Sequence, residues 1–294
     1  MRGFYAFAAA GGKSLKTGIG VFDSGIGGLS VVREILRALP QEHILYFADT
    51  ARVPYGERRL DEIRSFALAI TQFLVEQGAK AIVMACNMSS AVALDSARAR
   101  WSEIPIIGVI EPGARAAVRA SRGRAIGVLA TTGTVKSGAY VRAIGEIDSN
   151  IRVVQQACPR FVPLVEAGLA ESEEAEAAAR DYVTPLIRAG CKTLVLGCTH
   201  YPFLRRAIES AAGPGTIVVD PAAETAQVLA EELTSRGMVG ESSGNSHRFF
   251  ASGETTSLEE LGSRFLGMPI TNIENVDPVI ENAGLLHTDH TLRS

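Results

Sequence analysis

The sequence predicts an α/β fold: two similar, pseudo-symmetric α/β domains with mainly parallel sheets and an active site in the cleft between them. Three observations carry this. Strand-like apolar runs alternate with amphipathic helices along most of the chain, the pattern of parallel sheets. Five such blocks recur in one order at offsets of 107 to 112 residues. Two of the recurring strands end on a cysteine beside polar residues, "AIVMACNMSSAV" (residues 81–92) and "TLVLGCTHYPFL" (residues 193–204).

Taken in order, residues 1–17 read as an N-terminal extension. Its "GGKS" resembles the end of a P-loop, but the first glycine of that motif would fall at Phe7. Arg2 before "FYAFAAA" resembles a signal peptide, with an apolar stretch too short for one. The first repeat opens with "GIGVFDSGIGGLSVVREIL" and its counterpart with "AIGVLATTGTVKSGAYVRAI", so that Gly20 maps to Gly127 and Asp23 to Ala130. Next, "ILYFADTARVPYG" from Ile44 pairs with "IRVVQQACPRFVP" from Ile151. A helix with Ile63, Phe66, Ile70, Phe73 and Leu74 on one face follows, matched by one with Ala175, Ala179, Tyr182, Val183 and Leu186. They stop at Gly78 and Gly190, where a helix C-terminus favours glycine. The cysteine strands come next, and "VIEPGARAA" then pairs with "VVDPAAETA", Glu111 opposite Asp220. The expected domains are residues 18–109 plus 221–270 and residues 110–220, with a C-terminal tail at 271–294.

Composition narrows the function. With 294 residues and 47% hydrophobic content the chain can bury a sizeable core. A net charge of -3 gives no electrostatic case for nucleic acid or anionic lipid, and 6% aromatics make base-stacking platforms improbable. No apolar run approaches the ~20 residues of a membrane span. Cysteines 86, 158, 191 and 198 form no C-x-x-C pair and no disulfide scaffold, and working thiols suit a reducing cytoplasm. Cys191 reads as a small buried hydrophobe.

In open α/β sheets, sites lie beyond the carboxyl ends of the strands. Asp23, Cys86, Thr131 and Cys198 all fall at such ends. Two thiols on opposite walls suit racemisation: one removes a proton from one face of a carbon and the other returns a proton to the opposite face. Each thiol precedes a helix-like stretch, an environment expected to lower a thiol pKa. "DSGIGG" places Asp23 and Ser24 before a turn whose N–H groups can hold a carboxylate. A dinucleotide fingerprint there fails at Ser30. Asn87 and Thr199 can orient a substrate, His200 can assist Cys198, and Asp23 can do so for Cys86. Cys-x-His at a strand end is not a usual zinc-ligand spacing.

The stretches "FDSGIGGLSV", "YFADTARVPYG", "GVIEPG", "GVLATTGTVKSGAY", "ACPRFVPLVE" and "LGCTHYPFL" resemble the glutamate racemase family, over about residues 19 to 204 and more weakly through "FFASGETTSLEELGSRFLG". These are cofactor-independent enzymes that supply D-glutamate for bacterial cell walls. The resemblance implies that Cys86 is the base for D-glutamate and Cys198 the base for L-glutamate. Asp23 and His200 would be their assistants and Glu166 a further acidic residue near the site. It also implies substrate contacts from Asp23, Ser24, Tyr55, Gly56, Asn87, Met88, Ser89, Thr131, Thr132, Thr199 and His200. The family usually reads A-C-N-T-A-S-A where this chain has "ACNMSSA", so Met88 replaces a threonine and Ser89 an alanine.

The expectation is a cytoplasmic glutamate racemase without metal or organic cofactor, acting on L- and D-glutamate for peptidoglycan synthesis. Neither nucleic acid nor membrane is an expected partner, and homodimer formation is left open. The alternatives are an aspartate or other acidic amino-acid racemase, and a non-catalytic two-domain protein that closes on a dicarboxylate.

Overall fold

The computed structural model describes residues 18–240 and 247–279; the extension at 1–17 and the end of the tail lie outside them. The chain runs β1 (Gly18–Asp23), α1 (Leu29–Ala38), β2 (His43–Ala48), α2 (Leu60–Glu76), β3 (Ala79–Met84), α3 (Asn87–Arg100), β4 (Ile106–Gly108) and α4 (Ile110–Ser121). It continues with β5 (Ile126–Ala130), α5 (Thr132–Ser137), α6 (Ala139–Ile147), β6 (Val153–Ala157), α7 (Phe161–Glu166), α8 (Glu173–Arg188), β7 (Thr193–Gly197), α9 (Arg205–Ala212) and β8 (Ile217–Val219). The last elements are α10 (Pro221–Ser235), β9 (Arg248–Ala251), α11 (Ser263–Leu266) and β10 (Glu274–Asn275).

Two parallel sheets result, one of six strands in the order β10-β9-β2-β1-β3-β4 and one of four in the order β6-β5-β7-β8. The core order β2-β1-β3-β4 of the first is repeated by the second, which is the duplication seen in sequence. Register refines the correspondence. Ile19 pairs with Ile44 and Ile126 with Val153, so the counterpart of Ile44 is Val153 and not Ile151. Likewise Ile106 corresponds to Val218, through their partners Ile82 and Leu194. A gapless comparison cannot see these shifts, because the two halves differ in the lengths of their turns.

The strands read as they do because both faces are covered. Along β1, Ile19 and Val21 point into one apolar cluster with α1 and α10, while Phe22 points into the opposite one with α2 and α3. All three are fully buried, each worth about 1.5–3 kcal/mol against exposure. The second sheet is covered the same way by two further clusters. Gly78 and Gly190 follow α2 and α8 with φ of 93° and 82°. After α8 the N–H of Cys191 donates to Leu186 O at 3.1 Å and that of Gly190 to Ile187 O at 2.9 Å, a full Schellman stop. Cys191 is wholly buried there, as a structural residue. Helix α10 packs against both α1 and α4 and carries the chain back to the first sheet. Residues 274–275, inside the segment read as a tail, add an edge strand to it.

Candidate active site

The carboxyl ends of the two sheets face one cleft, and both cysteines line it. Cys86 lies two residues beyond β3 and is the N-cap of α3; Cys198 directly follows β7. Ser24, Tyr55, Gly56, Asn87 and Met88 contribute from one side, and Thr131, Thr132, Thr199 and His200 from the other. Thr131 caps α5, its hydroxyl accepting from the Thr134 N–H at 3.3 Å. The remaining expected residues sit behind this lining. Asp23, the last residue of β1, is fully buried. Glu166 ends α7 and pairs with His200. Ser89, expected at the substrate, is fully buried because the third helical position of α3 turns it inward.

Two hydrogen-bonded chains organise the walls. On one side Glu166 Oε1 lies 2.6 Å from His200 Nε2, and His200 Nδ1 lies 3.8 Å from Cys198 Sγ. On the other, the Thr199 hydroxyl donates to Asp23 Oδ1 at 3.0 Å, so this bond crosses between the two sheets. Asp23 Oδ2 accepts from the Gly25 N–H at 3.1 Å, and the Tyr46 hydroxyl holds Gly25 O at 2.7 Å. One donor of the glycine-rich turn thus serves Asp23 rather than a ligand. Tyr140 also spans the halves, its hydroxyl donating to Asn87 Oδ1 at 2.8 Å.

Burial dominates the electrostatics. It disfavours the imidazolium of His200, but hydrogen bonds to Cys198 and Glu166 and the charges of Cys198 and Asp23 outweigh it. The pKa of His200 stands well above the ordinary value. Burial raises the Asp23 carboxyl, offset in part by His200, Thr199 and the N–H groups of Gly25 and Gly28. The Cys86 thiol is pushed up to about 12, first by burial and then by the charge of Asp23. The lowering expected from the helix N-terminus is therefore overturned: desolvation wins. Cys198 precedes only a short 3₁₀ turn, Tyr201–Leu204, with Pro202 near its start, and not an α-helix. Among the described residues no three His, Cys, Asp or Glu side chains group so as to hold a metal ion. No helix there is long and apolar enough to cross a membrane.

A family model for Asp/Glu/Hydantoin racemases matches residues 19–229. The chain belongs to the Asp/Glu/hydantoin racemase family. Within that family it is 47% identical to the glutamate racemase of Desulforudis audaxviator, over 87% of this chain and 97% of that one. The crystal structure of glutamate racemase isoform RacE1 from Bacillus anthracis superposes with a TM-score of 0.85 at 39% identity, covering 89% of this chain and 97% of that one. The Francisella tularensis glutamate racemase, solved in complex with D-glutamate, gives 0.84 at 33% identity, covering 90% and 98%.

Sequence reasoning missed several parts of this cleft. Cys158 lines the cleft as a third thiol, its Sγ directed at Gln156 O at 3.4 Å. Tyr140 closes the matching stretch "GVLATTGTVKSGAY" but was given no role in the sequence reading. Gly27, Gly56 and Gly133 let the walls approach. A Cβ on Gly56 would stand 2.9 Å from Thr131 Cβ, and one on Gly133 would stand 2.9 Å from both Gly56 O and Met88 Sδ. In sequence, Gly27 stood out only as part of "DSGIGG" and Gly56 only as a substrate contact implied by the resemblance, and Gly133 was given no role.

Proposed function

We propose that this chain interconverts L- and D-glutamate by a two-base mechanism with Cys86 and Cys198 as opposed acid and base. The observation that carries it is the placement of two thiols from equivalent strand ends of two like sheets on one cleft. With L-glutamate, the Cys198 thiolate takes the α-proton: the Cα–H bond breaks, an S–H bond forms, and the electron pair stays on a flattened carbanion. The Cys86 thiol then gives its proton to the other face, leaving a thiolate. D-glutamate runs the same path backwards. Glu166 holds the His200 imidazolium, which donates to the Cys198 thiolate. The α-ammonium of the substrate brings positive charge near the buried Cys86, the sign that favours its thiolate. Asn87, held by Tyr140, and Ser24, Tyr55, Gly56, Thr131, Thr132 and Thr199 offer groups for the two carboxylates and the ammonium. The product supplies peptidoglycan synthesis in the cytoplasm.

Circular dichroism of purified, reduced protein with each enantiomer of glutamate and aspartate tests this reading. Both glutamate signals should decay to zero and the aspartate signals persist. A glutamate signal that stays constant while glutamate binds would mark a binding protein.

Met88 is 2% exposed and packs with Tyr55, Ile63 and Cys86. Met88→Thr supplies a hydroxyl at the cleft, and one hydrogen bond is worth about 0.5–1.5 kcal/mol. KM for glutamate should fall roughly two- to tenfold, while thermal stability drops with the lost packing. A KM equal to that of the parent would mean that only the backbone matters at this position.

A further inference from the structure

The Ser89 hydroxyl is an anomaly. Its residue is 0% exposed, and Oγ finds no hydrogen-bond partner among the described residues. Leaving a buried hydroxyl unmatched is costly, so such an orphan calls for a physical reason. It occupies the third position of α3, whose N-cap is Cys86. The N–H and the side chain of the third helical position lie back toward the N-cap residue, as in a capping box, and that residue here is Cys86. In the resting state Cys86 makes no side-chain cap hydrogen bond. A neutral thiol is a weak acceptor, whereas a thiolate is a strong one that draws donors in.

We infer that Ser89 is a positioning residue for Cys86: its hydroxyl, unpartnered beside the neutral thiol, donates to Sγ when Cys86 is ionised. The racemase cycle forms a Cys86 thiolate in each direction, as reactant with D-glutamate and as product with L-glutamate, so the inference rests on the reading above. The other groups facing this sulfur are Asp23 from β1, Cys198 after β7, Tyr46 from β2 and Tyr55 from the loop before α2. The first two oppose a negative sulfur, and the tyrosines are neutral at working pH. Ser89 is thus the side chain that supplies a donor to it, and the Ser89 N–H supplies a second from the main chain.

The test is the rate at which iodoacetamide alkylates Cys86, read by mass spectrometry of its peptide between pH 8 and 10. Ser89→Ala keeps a good helix former and removes only the hydroxyl. Its Cys86 should alkylate about ten- to a hundredfold more slowly at each pH, and kcat/KM should fall by a similar factor in both directions. Ser89→Thr retains a hydroxyl and should restore most of both. A purely structural serine would lower the melting temperature and leave the alkylation rate of folded protein unchanged, and that outcome overturns the inference. The alkylation arm needs no turnover. Failure of the racemase reading would show instead as glutamate that keeps its optical activity with the parent protein.

Discussion

Cys86→Ala and Cys198→Ala should each abolish racemisation in both directions, with a loss of at least about 10²–10⁴-fold in kcat/KM. Each wall is used once per turnover, as acid or as base, whichever enantiomer enters. The equilibrium constant between enantiomers is unity, so the two directions must fall together. Cys191 provides the contrast. It is 0% exposed, packed in the core beneath β7 and remote from the cleft lining. Cys191→Ala should keep turnover and lose about 1–2 kcal/mol of stability. Steady-state rates with both enantiomers, beside thermal melts, decide this; substantial turnover by either cleft variant would remove that thiol from the reaction.

Gly27→Ala should be nearly as damaging without touching a reacting atom. Its Cβ would stand 2.5 Å from Thr199 Oγ1 and 2.8 Å from His200 Nδ1. Thr199 and His200 anchor the bonds to Asp23 and Cys198, and neither is the free end of a flexible surface chain. The added methyl therefore pushes the two walls apart. Misplacement of the order of 1 Å can cost about 10²-fold in rate, and kcat/KM should fall by that much while the protein still folds. Gly145→Ala is the control. It lies within α6 with nothing inside 4 Å of the added Cβ, and should be silent or slightly stabilising. Equal activity of the two variants would show that the walls tolerate separation.

Much of this was legible because duplication leaves a periodic trace. Strand ends, glycine stops and the two cysteines recur in one order, and strand ends are where α/β sites lie. His200 could be read as a partner of Cys198 because it lies two residues further on, and Asp23 as one of Cys86 because both fall at the carboxyl ends of strands. Other features depend on distances between segments far apart in sequence. The shifted counterparts Val153 and Val218 reflect unequal turns between strands. Tyr140 reaches Asn87 across a separation of 53 positions in the chain. The raised pKa of Cys86 comes from burial, which overrides the helix-terminus rule that adjacency suggests. Ser89 was expected at the substrate from the family resemblance alone, whereas the third position of α3 buries it behind the cleft lining.

The central claim is that the proton removed and the proton returned travel on different sulfurs. Mass spectrometry of the separated enantiomers, after reaction in deuterated water to low conversion, tests it most directly. Thiol hydrogens exchange readily with solvent, so newly formed D-glutamate should carry deuterium at Cα. The remaining L-glutamate should stay almost fully protiated, because Cys198 tends to return the proton it has just captured. The mirror result should hold starting from D-glutamate, with Cys86 in that part. Appreciable protium in the newly formed enantiomer, after correction for residual light water, would mean that one group serves both faces and would contradict the assignment of Cys86 and Cys198 as opposed acid and base.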